Sequence, residues 1–367
     1  MAIKSIDIEN VMAFQTQWRK NNGDCNEFAV KEGDKFCEAF QLRFCDGINV
    51  IIGENGVGKT TLLKLIYIAA QASGGIIDNG KAHSILRFFS GNLTDLDLLR
   101  SGNSQSYFKV SDGEHVFTES LSLKRLLDCD KWVGLNIQSV FIPTTEMLSH
   151  SKGFLALDQK YKLPFDGTQV DIIVNASLPE TREVSPYMGK ILEKISKVID
   201  GTIVLEDDTF YVLKSDGRKV DFSLEAEGLR KLGLLWKLIR NGLLEKGTIL
   251  LWDEPEASLN PELFPLVVEI LLQLEEAGIQ IFVATHSYNL AKYFEVRRTR
   301  EEQVLYHNLY HASSKVAPEY ELVRENSEEK TAVYSKSAYY LSQIGRNKII
   351  TADEQLLDEA LDKGLTD

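Results

Sequence analysis

The chain has 367 residues, 44% of them hydrophobic and 26% charged, a balance that excludes a disordered or fibrous protein. Its 41 basic and 54 acidic residues leave a net charge of −13. That excludes coating a nucleic acid by charge alone, because phosphate binding is driven by Lys and Arg releasing counterions; nucleic acid stays open only through a local basic stripe.

The first residues, Met1 to Ile8, alternate like a strand and do not read as a signal peptide. No apolar run approaches the roughly eighteen residues needed to span a bilayer, so no membrane contact is expected. The four cysteines, Cys25, Cys37, Cys45 and Cys129, have no C-x-x-C spacing. They read as reduced thiols of a cytoplasmic protein, without a zinc site. Phe36, Phe40, Leu42 and Phe44 fall at even spacing and predict one half-buried strand over 35–45, turned by Asp46-Gly47. Phe14, Trp18 and Phe28 suit a core or an adenine stack, with the core the better reading of each.

The run Ile48-Asn49-Val50-Ile51-Ile52 predicts a buried strand, and Gly53-Glu54-Asn55-Gly56-Val57-Gly58-Lys59-Thr60-Thr61 follows it. This is the full G-x-x-x-x-G-K-[ST] pattern, with a helix predicted from Thr61 onward. The glycines let successive backbone N–H groups converge on one anion, and the helix N-terminus adds partial positive charge. Lys59 is placed to reach the β- and γ-phosphates and Thr60 to put its hydroxyl on Mg²⁺. Lys59 is expected to be solvated in the empty site.

Beyond a softer stretch at Ala72-Ser73-Gly74-Gly75, Ser106 to Ser120 predicts a hairpin around Asp112-Gly113, and Gln138 to Pro143 a core strand. Gln138 and Glu146 are candidates for a polar group that orients Mg²⁺ or an attacking water. Pro186 to Asp200 predicts an amphipathic helix, and Thr202 to Ser223 short strands around Asp207-Asp208 and Asp216-Gly217. Thr248 to Pro255 is an apolar strand ending in two acids: Asp253 for the Mg²⁺ shell, and Glu254 to polarise a water for in-line attack. Ala257-Ser258-Leu259-Asn260-Pro261 follows, and Pro261 suits a first helical turn. A further strand, Gln280 to Ala284, leads into Thr285-His286-Ser287, where His286 is placed to sense the γ-phosphate. Lys194, Lys197, Arg230, Lys231, Arg297, Arg298 and Arg300 are the candidates for a basic patch, with a solvated loop the better reading of 297–300. The last fifty residues form an acidic tail with a helical pattern near Leu356, Leu357 and Leu361; a solvated helix and a partner-docking segment are both open.

This set of motifs resembles the ABC-type ATPases, in the branch with SMC, RecF-like and OLD-like proteins. The resemblance implies an α/β P-loop NTPase fold, a mixed central sheet flanked by helices with a helical and β signature lobe. It further implies Walker A at 53–60, Walker B with a catalytic glutamate at 249–254, a D-loop at 257–261 with Asn260 at the nucleotide, and a switch histidine at 286. ATP and Mg²⁺ are the implied cofactors. Ala226-Glu227-Gly228-Leu229-Arg230-Lys231 matches the signature, whose helix meets the other protomer's nucleotide in this family, so Glu227 and Gly228 are expected to act in trans. Ala226 stands where a serine is usual, which puts the strength of ATP-driven dimerisation in question. The implied organisation is an ATPase domain over 1–314, its lobe inserted over about 72–245, and an extension over 315–367.

The spacing from Gly58 to Gly228 leaves no room for long coiled-coil arms, nor is a large nuclease domain accommodated after His286. The chain most resembles compact bacterial AAA-family ATPases of phage-defence systems, of the Septu and retron type. A homodimer or higher oligomer and a separately encoded effector nuclease or toxin are the implied partners. The expected function is an ATP-hydrolysing switch; a slowly hydrolysing scaffold and a RecF-like repair ATPase are the alternatives.

Overall fold

The computed structural model describes residues 1–14, 17–20, 30–32, 35–75, 83–89, 106–121, 123, 125–128, 131–161, 163–312, 320–322, 332–345 and 347–363. At its centre six strands pair in the order Ser139–Ile142, Ile249–Asp253, Gln280–Thr285, Ile48–Gly53, Val304–Ala312 and Ala332–Ala338. The first five run parallel and the sixth antiparallel, so the sheet is mixed. Parallel strands are covered on both faces, which is why 50–52, 249–252 and 281–284 read as unbroken apolar runs rather than alternating ones. Alternate residues then divide between two cores. Val50, Ile52, Leu250, Trp252, Ile281 and Val283 pack under the helices Pro186–Ile199, Glu227–Arg240 and Phe264–Glu276. Ile51, Ile249, Leu251, Phe282 and Ala284 pack under the helix Lys59–Ser73 and an antiparallel sheet that contains Ser5–Glu9 and the hairpin Tyr107–Ser111 to Val116–Ser120. The fold is the expected α/β P-loop architecture.

The register sets Asp253 beside Ala284 and Ala284 beside Ile51, so three parallel strands end along one edge. In open α/β sheets that carboxyl edge is where ligands bind. One strand prediction fails. Residues 35–45 break at Ala39 into Lys35–Glu38 and Phe40–Arg43, which pair in different sheets. Phe40, Leu42 and Phe44 are buried as expected, and an even spacing of apolar residues is blind to a change of sheet. Phe14 is fully buried against Phe40, ring centroids 4.6 Å apart, and belongs to the core. Phe28, and the side chains of Trp18 and Phe36, lie outside what the structure describes. Among the described residues no helix is long and apolar enough to cross a membrane.

Beside the P-loop strand, His307 is wholly buried. Its Nδ1 lies 2.7 Å from the Ser337 hydroxyl and its Nε2 3.2 Å from Asn49 Oδ1. Burial pushes its pKa down to about 3, so the imidazole is neutral in the fold. The unfolded chain takes up a proton near pH 6.5 that the folded chain refuses, so stability is whole above that pH and falls below it. Between pH 6.5 and 5 this one group is expected to remove about 2 kcal/mol. Urea midpoints across that window should show a steeper acid loss in wild type than in His307→Gln; equal slopes would contradict the buried neutral imidazole.

Candidate nucleotide site

The loop that leaves strand Ile48–Gly53 is shaped by glycines for separate reasons. A Cβ on Gly53 would lie 2.4 Å from the Leu309 carbonyl oxygen, so this glycine allows the neighbouring strand to come close. Gly58 has φ +92 and caps the helix Lys59–Ser73, and no side chain fills that cap. The first N–H groups of the helix are thus left for an anion.

Lys59 departs from expectation. It is 6% exposed, and its Nζ donates to the Gly53 carbonyl at 2.7 Å and the Glu54 carbonyl at 2.9 Å. Burial holds its pKa below the usual lysine value, opposed first by Glu254 and then by Asp253. The ammonium is folded across its own loop and not solvated, because the turn that cradles a phosphate also aims two carbonyls at its centre.

Asp253, at the end of its strand, is buried, and its Oδ2 accepts from the Thr60 hydroxyl at 2.8 Å and from Thr144 at 3.1 Å. Its Oδ1 is buried without a hydrogen-bond partner. An orphaned carboxylate oxygen beside a threonine hydroxyl is a donor set that fits a hard cation such as Mg²⁺. Burial raises the Asp253 pKa, against the pull of the Thr60 and Thr144 hydroxyls. Thr144 had no part in the sequence prediction; its one signal was its place just past a strand parallel to Ile249–Asp253. Replacing it with valine keeps the shape and removes a hydrogen bond to a charged group. Thr144→Val should lose about 1.5–3 kcal/mol of stability by urea unfolding, and a loss under 0.5 kcal/mol would show that Thr144 does not hold Asp253.

Gln138 and Glu146, the two candidates for a water- or Mg²⁺-orienting group, are not at this site. Gln138 is exposed at the amino end of its strand and reaches the Asn136 carbonyl. Glu146 is buried, accepts from the backbone of Leu148 and Ser149, and pairs with Arg230 at 3.4 Å. It caps a turn.

Glu254 has φ +49, a left-handed conformation that favours glycine. Its N–H donates to the Ala284 carbonyl at 2.9 Å, and its own carbonyl accepts from Lys231 Nζ at 3.1 Å. The side chain stays partly open, with Oε1 3.1 Å from His286 Nδ1. His286 is itself 46% exposed, and its backbone N–H donates to Glu256 Oε1 at 2.9 Å, which also accepts from the Thr285 hydroxyl. Glu256 was missed, although the spacing D-E-P-E sets a third acid one turn beyond the pair.

The signature stretch forms the start of helix Glu227–Arg240, with Ala226 at its N-cap and no side-chain cap. Gly228 packs against the turn at 257–261 of its own chain: a Cβ there would lie 2.8 Å from the Ser258 carbonyl and 3.1 Å from Leu259 Cα. A side chain at 228 would displace the chain's own 257–261 turn, whereas Ala226, at the N-cap, is exposed. Asn260 is exposed and caps the turn Pro261–Leu263 through Glu262 N–H. Lys231, taken as surface charge, is 2% exposed under Glu254. Lys194, Lys197 and Arg300 are paired with Glu269, Glu193 and Glu275, and Arg298 donates to the Tyr339 carbonyl. The basic residues are largely spent within the chain.

A family model for an AAA domain, whose description names the AbiEii toxin and the type IV TA system, matches residues 152–292, and a second AAA-domain model matches 5–123. The chain is 43% identical over 54 residues to the arginine transport ATP-binding protein ArtP of Haemophilus influenzae, 15% of this chain and 22% of that one. It is 27% identical over 142 residues to the L-cystine import ATP-binding protein TcyN of Bacillus subtilis, 33% of this chain and 55% of that one. The chain thus spans between about a fifth and about half the length of these relatives. Of solved structures, the SMC head domain from Thermotoga maritima superposes at a TM-score of 0.45 with 14% identity, covering 91% of this chain and 98% of that one, too loose a likeness to argue from. One AAA-domain match takes in the glycine loop at 53–61 and the other the acid-tipped strand Ile249–Asp253, so the two halves of the candidate site each lie in a stretch similar to AAA domains.

Proposed function

We propose that this chain is an ATP-hydrolysing conformational switch. Two protomers enclose two ATP molecules, hydrolysis separates them, and the cycle controls a separately encoded effector nuclease or toxin in bacterial antiphage defence. The observation that carries the hydrolytic part is the contact of Glu254 with His286 beside the Asp253–Thr60 pair. Asp253 and Thr60 would hold Mg²⁺, which when bound offsets phosphate charge. Lys59 leaves the Gly53 and Glu54 carbonyls for the β- and γ-phosphates. Glu254 accepts a proton from the attacking water, whose oxygen bonds the γ-phosphorus as the bond to the ADP oxygen breaks. His286 orients that carboxylate. A slowly turning scaffold is the second reading, favoured by Ala226, which offers no hydroxyl to a γ-phosphate.

The sandwich is tested by mixing two variants. Ala226→Asp supplies the missing N-cap, so the protomer should fold and bind ATP, but its carboxylate would repel a phosphate facing it across the dimer. Lys59→Ala lacks the phosphate lysine. Each alone should be nearly inactive. In the mixed dimer one site carries both defects and the other none, so hydrolysis should partly return. No recovery at any mixing ratio would overturn the two-protomer site.

A further inference from the structure

The helix Lys348–Asp362 buries none of its residues. Asn347 caps it by accepting from the N–H groups of Ile349 and Ile350, and its side chain ties back to Asn308 in the central sheet. Lys348 Nζ pairs with Glu54 Oε2 of the P-loop at 3.0 Å. Ile349 and Ile350 pack half-buried against the main core. One turn on, Asp353 and Glu354 interrupt the apolar stripe, and beyond them, among the described residues, Leu356 is 67% exposed, Leu357 57% and Leu361 53%. A fifteen-residue helix is marginal alone in water, and most helical stability comes from covering an apolar face. Asp353 and Glu354 sit one turn before these leucines on and beside their face, and Asp358, Glu359 and Asp362 occupy the rest of the helix surface.

We infer that this face is the docking site for the partner protein, which offers an apolar groove rimmed by Lys and Arg. The inference rests on the proposed control of an effector. The acidic flank selects such a partner over a second copy of this chain, whose own helix would bring acid against acid. Attachment of the helix to the core at Ile349 and Ile350, and the ion pair of Lys348 to Glu54, set the partner beside the nucleotide loop. Three leucines along two turns supply the apolar anchors of a helix-in-groove contact.

The test co-expresses the full chain with the product of the adjacent gene and measures affinity of the purified components. Leu357→Lys/Leu361→Lys should weaken the complex by about 30-fold or more, with ATP hydrolysis by the chain alone unchanged and wild-type affinity falling as salt rises. A wild-type complex that the double variant keeps would overturn the docking face and leave effector control standing. Absence of any wild-type complex would overturn effector control and this inference with it. A drop in the mass of the chain alone on substitution would show a second copy on the face, and also overturn it.

Discussion

Glu254→Gln is expected to lower ATP hydrolysis by about 10²–10⁴-fold, the usual loss for removing a general base, while ATP binding persists. The amide keeps the shape of the side chain and its reach to His286, but cannot take the proton from water. Its backbone constraints are unchanged, since the left-handed turn at 254 is held by Ala284 and Lys231 through main-chain atoms. Phosphate release in single turnover, set beside ATP binding by calorimetry, separates the two effects. Hydrolysis within tenfold of wild type would remove Glu254 from the chemistry.

Lys59→Ala is expected to weaken ATP binding by about 10–100-fold, the worth of a charge-assisted contact to phosphate. The structure adds a second consequence. The buried ammonium bridges the Gly53 and Glu54 carbonyls, so its loss should also cost about 1–2 kcal/mol of stability in the nucleotide-free protein. Calorimetry checks the first effect and urea unfolding without nucleotide the second. Unchanged ATP affinity would contradict the assignment of Lys59 to the phosphates.

Much of this site was legible because it is local. The glycine loop, the strand before it and the helix after it are contiguous, and four of the five parallel strands read as mainly apolar runs; Val304–Ala312, with His307 and Asn308 in it, did not. What escaped depends on side chains converging from distant positions. Thr144 meets Asp253 only because Ser139–Ile142 pairs beside Ile249–Asp253. Lys231 reads as a surface lysine on an amphipathic helix until that helix is laid under Glu254. Glu146 reads as a site acid, yet its carboxylate is taken by backbone donors two and three residues on. Lys59 shows a different limit: the motif names the ligand it meets but not the carbonyls it holds in the meantime. The break at Ala39 is invisible to a period of two, which does not change when a strand passes from one sheet to another.

Closure of two protomers over ATP is tested most directly by the mass of Glu254→Gln in solution. Sedimentation with ATP and Mg²⁺, with ADP, and without nucleotide compares one protein in three states. The account predicts twice the protomer mass with ATP, where the variant binds but cannot hydrolyse, and a return toward the protomer with ADP or no nucleotide. A mass that is the same in all three conditions, whether of a protomer or of a fixed larger assembly, would contradict an ATP-driven sandwich.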